Sequence, residues 1–208
     1  TLPSLSGNAR KKMKMVRPSE PSHPDSRIPG NRIVLRQKRL ADAWKDYTWE
    51  RDPELAYLDA VPPLTIAFNQ YLLEYTEQLG YHSSTRNRFA IETKDGEQHI
   101  GNCSYYNIDE TRGEAELGIM IGNRDYWDKG YGSESVITLI DYIFRKTSIR
   151  RVYLKTLDSN SRAQQCFQKC GFAPYGHRMS NGFSFTLMEI YRDWWQQNKS
   201  EHELNPKF

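Results

Sequence analysis

The stretch with the clearest chemical potential is YWDKGYGSES, residues 126–135, in which Gly130 and Gly132 precede a largely apolar run. A glycine-rich turn that enters a helix can hold a phosphate, because free backbone N–H groups and the helix dipole converge on one anion. The same pair of glycines also suits a tight turn without a ligand. The stretch is not a dinucleotide fingerprint, which needs G-x-G-x-x-G after a first strand, nor a P-loop, which ends in Gly-Lys-Ser/Thr.

The cysteines and histidines show no pattern typical of a metal site. The chain has three cysteines, Cys103, Cys166 and Cys170, an odd number without metal-ligand spacing. They favour a reducing compartment, and we expect a cytoplasmic protein. No apolar run approaches the ~20 residues of a membrane span, and no apolar segment follows the basic N-terminus as in a secretory signal. We therefore expect neither a metal cofactor nor a membrane partner.

Residues 1–31 differ from the rest of the chain in composition. Their basic residues outnumber the acidic ones and give a local charge of +4, whereas the whole chain carries +3. This polar, proline-rich segment cannot bury enough apolar surface to offset its ordering entropy, so we predict a disordered or loosely held arm. A nucleic acid could bind through this arm but is not expected on the body. An extension without a binding role is the simpler interpretation.

The elements that position the glycine loop begin at Arg32. Apolar periodicity distinguishes helices from strands, and the Asp52-Pro53 pair favours a helix start. The pattern predicts strands over 32–36, 86–93, 98–108, 114–122, 150–157 and 182–191, and helices over 38–50, from 53 to before Pro62, over 64–80, from near Ser133 to about Thr147, and over 160–170.

This order of elements indicates the fold class. A strand-helix-strand unit favours a right-handed crossover with parallel neighbours, whereas strands that meander are antiparallel. The sequence therefore predicts a mixed α/β fold, with one sheet and helices on both of its faces. The expected domain spans 32–195, followed by a tail at 196–208.

Four landmarks in a fixed order give the chain a resemblance to the GNAT superfamily of N-acetyltransferases, and in particular to its Rim-type (ribosomal-protein-alanine) branch. The family pattern Gln/Arg-x-x-Gly-x-Gly/Ala is matched by WDKGYG (127–132), with Trp127 at the Gln/Arg position. The others are WERDPELAYL (49–58), EAELGIMI (114–121) and NSRAQQCFQKCGF (160–172). The resemblance covers Arg32 to Trp195 and implies a GNAT-like twisted, mostly antiparallel sheet with a splayed parallel strand pair.

The resemblance implies acetyl-coenzyme A (acetyl-CoA) as co-substrate. Its pyrophosphate would rest on the amides of residues 128–133, and its pantetheine arm would pair with the backbone of Gly118–Ile121. Lys129 would add charge at the rim, and Asn160 would contact the arm, although Asn160 is also a credible helix N-cap. The residues expected to bind the donor are Gly118, Ile119, Met120, Ile121, Trp127, Asp128, Lys129, Gly130, Tyr131, Gly132, Ser133, Asn160 and Phe167.

Acetyl transfer to an amine requires removal of a proton from the ammonium group and a donor to the developing oxyanion. The resemblance implies Glu116 as the base, through a water, and a backbone N–H at Ile119–Ile121 as the donor. Glu114 shares the face of Glu116, and either could instead be an ion-pair partner. Where relatives carry a tyrosine or serine acid, this chain has Phe167 and Ala163, so no general acid is identified.

The expected function is an acetyl-CoA-dependent N-acetyltransferase that acts on a primary amine in a ternary complex. Resemblance to the Rim-type branch favours a protein N-terminal α-amine, while a polyamine, an aminoglycoside or an amino-sugar stays open. The alternative is a catalytically silent module that binds acyl-CoA as a sensor or scaffold, which the missing acid positions motivate. A homodimer is a further possibility.

Overall fold

The computed structural model describes residues 27–80, 83 and 85–204, with side chains described as far as Asn198. Residues 1–26 and 205–208 lie outside the described residues. The prediction of a disordered basic arm, with any nucleic-acid binding through it, falls almost entirely on that first segment and stays a prediction.

The described chain forms eight strands and six α-helices. The strands are β1 (Ile28–Pro29), β2 (Ile33–Gln37), β3 (Arg86–Thr93), β4 (His99–Asp109), β5 (Glu114–Ile121), β6 (Arg151–Leu157), β7 (Ala173–Ser180) and β8 (Phe183–Tyr191). The helices are α1 (Ala43–Arg51), α2 (Pro53–Leu58), α3 (Phe68–Gly80), α4 (Tyr131–Lys146), α5 (Ser161–Lys169) and α6 (Arg192–Leu204).

All eight strands belong to one sheet, in the order β1-β2-β3-β4-β5-β6-β8-β7. Each neighbouring pair is antiparallel except β5 and β6, which run parallel. That parallel pair is short, because only Glu114–Glu116 pair with Arg151–Tyr153. The predicted fold class, a mostly antiparallel sheet with one splayed parallel pair, is confirmed.

Helices cover both faces of the sheet. Ala115 and Leu117 of β5 belong to the large apolar core that also contains Val136 and Ile140 of α4. Because side chains alternate along a strand, Glu114, Glu116 and Gly118 face the opposite side. A second apolar cluster lies there, formed between α1 and α3 by Ala43, Tyr47, Tyr71 and Tyr75.

A buried group of charges joins β2 and β3 to the start of α1. The Arg36 guanidinium donates two hydrogen bonds of 2.8 Å to the Asp42 carboxylate and a further one to Glu92. The Arg36 and Asp42 side chains are only 5% and 4% exposed. Burial alone would raise the pKa of Asp42, but hydrogen bonds from Arg36 and the Arg39 backbone outweigh it and hold that pKa below its usual range.

This charge group explains one difference from the predicted helix over 38–50. A 3-10 turn occupies Leu40–Asp42, and the α-helix starts only at Ala43. The apolar spacing of the sequence predicts Leu40 and Trp44 on the buried face of that helix, but they are 53% and 57% exposed. The anchoring of Asp42 by Arg36 sets the rotation of the following helix, and so outweighs the apolar period.

Two elements at the C-terminal side were not predicted. The side chains of β7 are mostly exposed, so this edge strand has no apolar alternation and forms through its backbone pairing with β8. Helix α6 continues across the expected boundary at 195/196, and Trp195 is buried. At the other end, β1 pairs with β2 and buries Ile28, which precedes the expected start at Arg32.

We predict that Asp42→Asn destabilises the protein by about 2 kcal/mol at pH 7, because the buried Arg36 keeps Glu92 but loses the charge of Asp42. The pKa of Asp42 is depressed in the folded state, so its stabilisation exists above the unfolded pKa of ~3.9 and fades as the pH falls through the lower folded value. Urea unfolding at pH 7, 4 and 3 should therefore show a shrinking difference between the variant and the native protein.

The matched control is Asp95→Asn, which makes the same chemical change at an exposed position of the β3–β4 turn. It should alter the free energy of unfolding by less than about 0.5 kcal/mol. A loss for Asp42→Asn that is equally large at every pH would contradict the assigned ion pair.

Candidate functional site

A groove opens where β5 and β6 separate. It has a volume of about 490 Å³. Its walls are helices α2 and α5, the C-terminal half of β5 and the loop that precedes α4, and we call it the fork groove. The predicted site residues that line it are Ile119, Met120, Ile121, Trp127, Asp128, Lys129, Gly130, Gly132, Ser133, Asn160 and Phe167. Tyr131 lies at its edge without lining it, and Gly118 lines the neighbouring cavity instead.

The loop before α4 has the backbone geometry of an anion cradle. Asp128 and Gly130 both have a left-handed backbone, with φ of 56° and 82°. Gly130 caps α4, and its carbonyl accepts the N–H of Glu134 at 3.0 Å. The N–H groups of Tyr131, Gly132 and Ser133 thus precede the first intrahelical bond and have no acceptor within the helix. These amides and the dipole of a 16-residue helix favour a negative group at this end.

A buried carboxylate ties this loop to the start of β2. Glu134 accepts hydrogen bonds from the backbone N–H of Arg32 and of Ile33 and from Arg32 Nε at 2.9 Å. The Arg32 guanidinium then lies over the Tyr131 ring, 4.4 Å from its centre, and donates to the Lys129 carbonyl. Its Nη2 is buried and has no hydrogen-bond partner among the described residues. A cation is therefore held in the groove wall with one unused donor.

Arg32 was predicted only as the start of a strand, and no local signal links it to a loop so far along the chain. Arg162 was also missed, although it belongs to the NSRAQQ motif. Its guanidinium carbon lies 3.5 Å from the centre of the Trp127 ring and lines the fork groove. Its position two residues after Asn160, in the first turn of a helix, was a usable signal.

Asn160 has a structural role at the start of α5. Its Oδ1 accepts the N–H of Ala163 at 3.1 Å. The side chain therefore caps the helix, which was the structural interpretation of Asn160 in the sequence. Asn160 also lines the fork groove. Capping and contact with a ligand are compatible, because the cap uses only Oδ1 and does not involve the carboxamide nitrogen of Asn160.

Cys166 lines the fork groove and also packs against the large apolar core. Its Sγ lies 3.2 Å from Ser133 Oγ, and the buried Cys170 thiol donates to the Ser133 carbonyl at 3.5 Å. A hydrogen bond from Cys170 lowers the pKa of Cys166, aided by Ser133 and opposed by burial. Phe167 is buried and Ala163 is half-buried, and both line the groove without offering a proton.

Glu116 and Glu114 have different surroundings, although they lie two residues apart on one face of β5. The Glu116 carboxylate accepts from Tyr106 Oη at 3.0 Å and from Asn107 Nδ2 at 2.9 Å, and it is largely buried. Burial, and then the charge of Glu116, raise the pKa of Tyr106, so this phenol stays a donor. Glu114 forms an ion pair with Arg151 at 2.7 Å. An ion-pair role was the alternative that the sequence left open for this residue.

A second cavity of about 540 Å³ lies on the α1–α3 face of the sheet; we call it the sheet-face cavity. Tyr106 and Gly118 line it, and it meets the fork groove at Leu55, Asp59, Ile119 and Met120. The backbone of β5 between Gly118 and Met120 is therefore accessible from both sides of the sheet edge.

The end of β5 is packed closely against α1. A Cβ built on Gly122 would come within 2.1 Å of Cδ2 of Trp49, a distance that no side chain can occupy. Trp49 is itself buried and lines the sheet-face cavity. A glycine at 122 therefore allows the indole to form part of the cavity wall.

The exposed edge of β5 has backbone groups without a strand partner. Gly118–Ile121 pair with Gly101–Ser104 of β4, and β6 does not pair with them on the other side. The Ile121 carbonyl is taken by the Trp127 indole N–H at 2.7 Å. Apart from this carbonyl, the edge is free of strand pairing, and Gly118–Met120 is the part in which neither group is taken on that side.

Two further findings concern the described residues only. They contain no group of three or more histidine, cysteine, aspartate or glutamate side chains that could hold a metal ion. None of their helices combines the length and the apolar character required to traverse a bilayer.

Comparison with known proteins adds independent information. A family model described as an acetyltransferase (GNAT) domain matches residues 32–173. The uncharacterized N-acetyltransferase p20 of Bacillus licheniformis is 30% identical over 146 residues, which are 70% of this chain and 81% of that protein. The spermidine N(1)-acetyltransferase of Vibrio cholerae is 26% identical over 103 residues, which are 49% of this chain and 58% of that protein.

Among solved structures, a spermidine N-acetyltransferase from Vibrio cholerae in complex with CoA and spermine superimposes with a TM-score of 0.70. It shares 20% sequence identity, and the match covers 79% of this chain and 98% of that one. At this level of identity the likeness concerns the fold.

We predict that iodoacetamide modifies Cys166 before the other cysteines at pH 7, because the thiolate is the nucleophile and the pKa of Cys166 is lowered. Burial raises the pKa of Cys103, and the hydrogen bond with Cys166 raises that of Cys170, so both should react only after unfolding. Peptide mass spectrometry over a time course would identify the first site.

Ser133→Ala should slow this labelling, since it removes a hydrogen bond to the Cys166 sulfur, while Cys166→Ser should abolish the early adduct. Early labelling of Cys103 in the folded protein would contradict the assigned environments.

Proposed function

The chain belongs to the GNAT acetyltransferase family and is an N-acetyltransferase, and from that premise we propose that it moves an acetyl group from acetyl-CoA to a primary amine, with Glu116 as the base. The observation that carries the proposal is the free β5 edge at Gly118–Met120, which lies between two cavities and beside a buried carboxylate. A donor in one cavity and an acceptor in the other would meet at this edge.

The fork groove fits a phosphorylated donor. The unpaired amides of Tyr131, Gly132 and Ser133 would receive the pyrophosphate, and the unused Nη2 of Arg32 supports an anion at the same place. Lys129 and Arg162 add positive charge to the groove wall. Cations and helix amides act together on one anion, and both act more strongly where water is excluded.

The free edge at Gly118–Met120 would receive the pantetheine arm as an additional strand. Backbone N–H and C=O groups at an unpaired edge need partners, and an extended amide-containing chain can satisfy them. Phe167 and Met120 give the groove an apolar section for the rest of the arm. The bound donor would supply the thioester, and residues of the protein would provide the other groups that the reaction needs.

Glu116 is placed to take the proton that the acceptor must lose. An α-ammonium group has a pKa of ~8 and a lysine-type amine ~10.4, so much of either is protonated at neutral pH. Tyr106 and Asn107 hold the carboxylate in one orientation, and Lys155 Nζ lies 4.0 Å from it. Because Glu116 itself does not line either cavity, we propose transfer through one water, as family resemblance implies.

The oxyanion and the departing thiolate would both form at the β5 edge. A backbone N–H at Ile119–Ile121 would stabilise the developing oxyanion, an effect typically worth ~3–4 kcal/mol of barrier. When the C–S bond breaks, the second proton of the acetylated nitrogen can pass to the departing thiolate. Phe167 and Ala163 provide no acid, and a thiol is acidic enough to leave without one.

The kind of primary amine that serves as acceptor stays open. Resemblance to the Rim-type branch favours a protein N-terminal α-amine, whereas the similarity to a spermidine acetyltransferase keeps a polyamine as the competing acceptor. The sheet-face cavity can accommodate the first residues of a peptide, because it runs along the sheet surface beside β3 and β4. A homodimer and a role for residues 1–31 stay predictions.

A catalytically silent acyl-CoA-binding module is the second candidate, and the absence of an acid at Phe167 and Ala163 favours it. The fixed orientation of a buried Glu116 favours catalysis, because a silent module would have no need of it. Release of CoA thiol with a panel of amines separates the two candidates.

We predict that Glu116→Gln lowers kcat by about 10²-fold, the usual contribution of a general base, with little change in acetyl-CoA affinity. The residual rate should rise with pH as the amine deprotonates without assistance. Steady-state thiol release from pH 6 to 10 measures both effects.

Glu114→Gln is the matched control, since it lies on the same face of β5 but is paired with Arg151. Its kcat should stay near the native value. An unchanged rate for Glu116→Gln at every pH would remove Glu116 from the mechanism.

We also predict that Gly130→Val prevents acetyl-CoA binding measured by calorimetry, because a β-branched residue at φ of 82° cannot keep the cradle geometry. Gly182→Val is the matched control, with φ of 79° in the β7–β8 turn and no atoms within 4 Å of a built Cβ. It should show the same backbone strain but normal binding, and equal binding losses in both variants would contradict the cradle.

A further inference from the structure

Two arginines at the start of β3 face the same cavities as the proposed reaction centre. Arg86 and Arg88 are two residues apart, so their side chains lie on one face of the sheet. Both line the sheet-face cavity and an adjoining cavity of about 730 Å³ beside the end of α3. Both are exposed to solvent within these cavities.

The register of the sheet relates these arginines to the proposed active site. Arg86 pairs with Tyr106, and Tyr106 pairs with Glu116, so the three residues form one row across β3, β4 and β5. The parallel row is Arg88, Ser104 and Gly118. Each arginine therefore stands two strands away from a group that the proposed reaction uses.

Neither arginine has an ionic partner within the part of the chain that the structure describes. Arg88 donates to the neutral carboxamide of Gln78, and Arg86 lies over the Tyr106 ring, 5.0 Å from its centre. Desolvation by the cavity wall, and then the charge of Arg86, lower the pKa of Arg88. Two positive charges are thus held near one another with no carboxylate of the described residues in ion-pair contact, although Glu50 acts on Arg88 at longer range.

Two carboxylates of the sheet-face cavity are engaged by neighbouring groups, while Glu74 lines the cavity from α3 and Glu77 lines the adjoining one. Asp46 binds Lys38, Tyr75 and Asn102, and Glu50 accepts from Tyr71. Asp59 lies at the junction with the fork groove, on the side of the acetyl-transfer edge. Arg86 and Arg88 are thus the positive groups that β3 contributes to the cavity, and Asp59 is the acidic group at its junction with the fork groove.

We propose that Arg86 and Arg88 form an anion subsite and that the acceptor is an amine bearing a carboxylate at its far end. This inference rests on the proposed function for the amine and adds the chemistry of the rest of the acceptor. Guanidinium groups bind carboxylates with paired, charge-assisted hydrogen bonds, which suits two adjacent arginines with free donors.

The strand spacing limits the distance between the two groups of the acceptor. Neighbouring strands are ~4.8 Å apart, so the arginine backbone lies roughly 10 Å from that of Glu116 and Gly118, and the long side chains shorten the gap. An extended peptide advances ~3.3 Å per residue. An acidic side chain at the second or third residue of a peptide would therefore reach Arg86 and Arg88 while its α-amine is at the β5 edge.

The two arginines oppose the binding of a polycation along β3. A polyamine that placed one amine beside Asp59 and Glu116 would bring its next positive charge toward the arginines, and like charges in a partly desolvated site repel. The arginines therefore discriminate against spermidine as well as for an acidic peptide.

The test compares C-terminally amidated peptides of equal length, with aspartate or asparagine at the second or third residue, and spermidine as the cationic acceptor. Thiol release gives kcat and KM for the native full-length chain, for Arg86→Gln, for Arg88→Gln and for the double variant. Arg178→Gln is the matched control, because this exposed arginine lies on β7 at the far edge of the sheet.

We expect the native protein to favour the aspartate peptides by about tenfold in kcat/KM, chiefly through KM. The double variant should lose this preference, while its thermal midpoint and its acetyl-CoA affinity stay at the native values. Equal kcat/KM for aspartate and asparagine peptides in the native protein, or an undiminished preference in the double variant, would overturn the subsite.

Failure of the proposed function gives a different result. If no amine releases thiol, the enzymatic assignment of the acceptor fails, and calorimetric binding of the aspartate peptide to the native protein and the double variant still decides the subsite. Weaker binding to the double variant would support it, and equal binding would reject it.

Discussion

The separation of β5 from β6 after three paired residues is the constraint on which both cavities depend. Strand β6 continues along β8 over its whole length, from Arg151 to Leu157, while β5 continues only with β4. Backbone groups at Gly118–Met120 are left without a partner at the edge of the fork groove. These groups are partly exposed to solvent, and the extended arm of the proposed donor would replace water as their partner.

Electrostatic contacts keep this opening in shape. Glu134 fastens the first turn of α4 to β2, and the same contact orients Arg32 toward the loop whose amides are free. On the other face, the buried pairing of Arg36 with Asp42 fixes the start of α1, whose Trp49 forms part of the acceptor-side wall. Each half of the proposed site is therefore positioned by a buried carboxylate that takes no part in chemistry.

The sequence predicted local features well and long-range contacts poorly. The glycine loop, the cap at Asn160 and the strand bearing Glu116 have signals within a few residues, and each was located correctly in the fold. Arg32, Tyr106 and the Asp42 pair act across the sheet, so no spacing along the chain reveals them. Strand β7 lacks apolar alternation because it is an exposed edge, and the pairing that forms it belongs to β8.

The contact between Gly122 and Trp49 has a consequence for how such chains diverge. The indole fills the space that any side chain at 122 would need, so replacement of the glycine is tolerated only after the tryptophan has changed. Substitution at these two sites should follow an order, and related sequences should vary at them in concert. A substitution of Trp49 that changes the shape of the proposed acceptor side would therefore also allow side chains at position 122. With Trp49 in place, that position accepts only glycine.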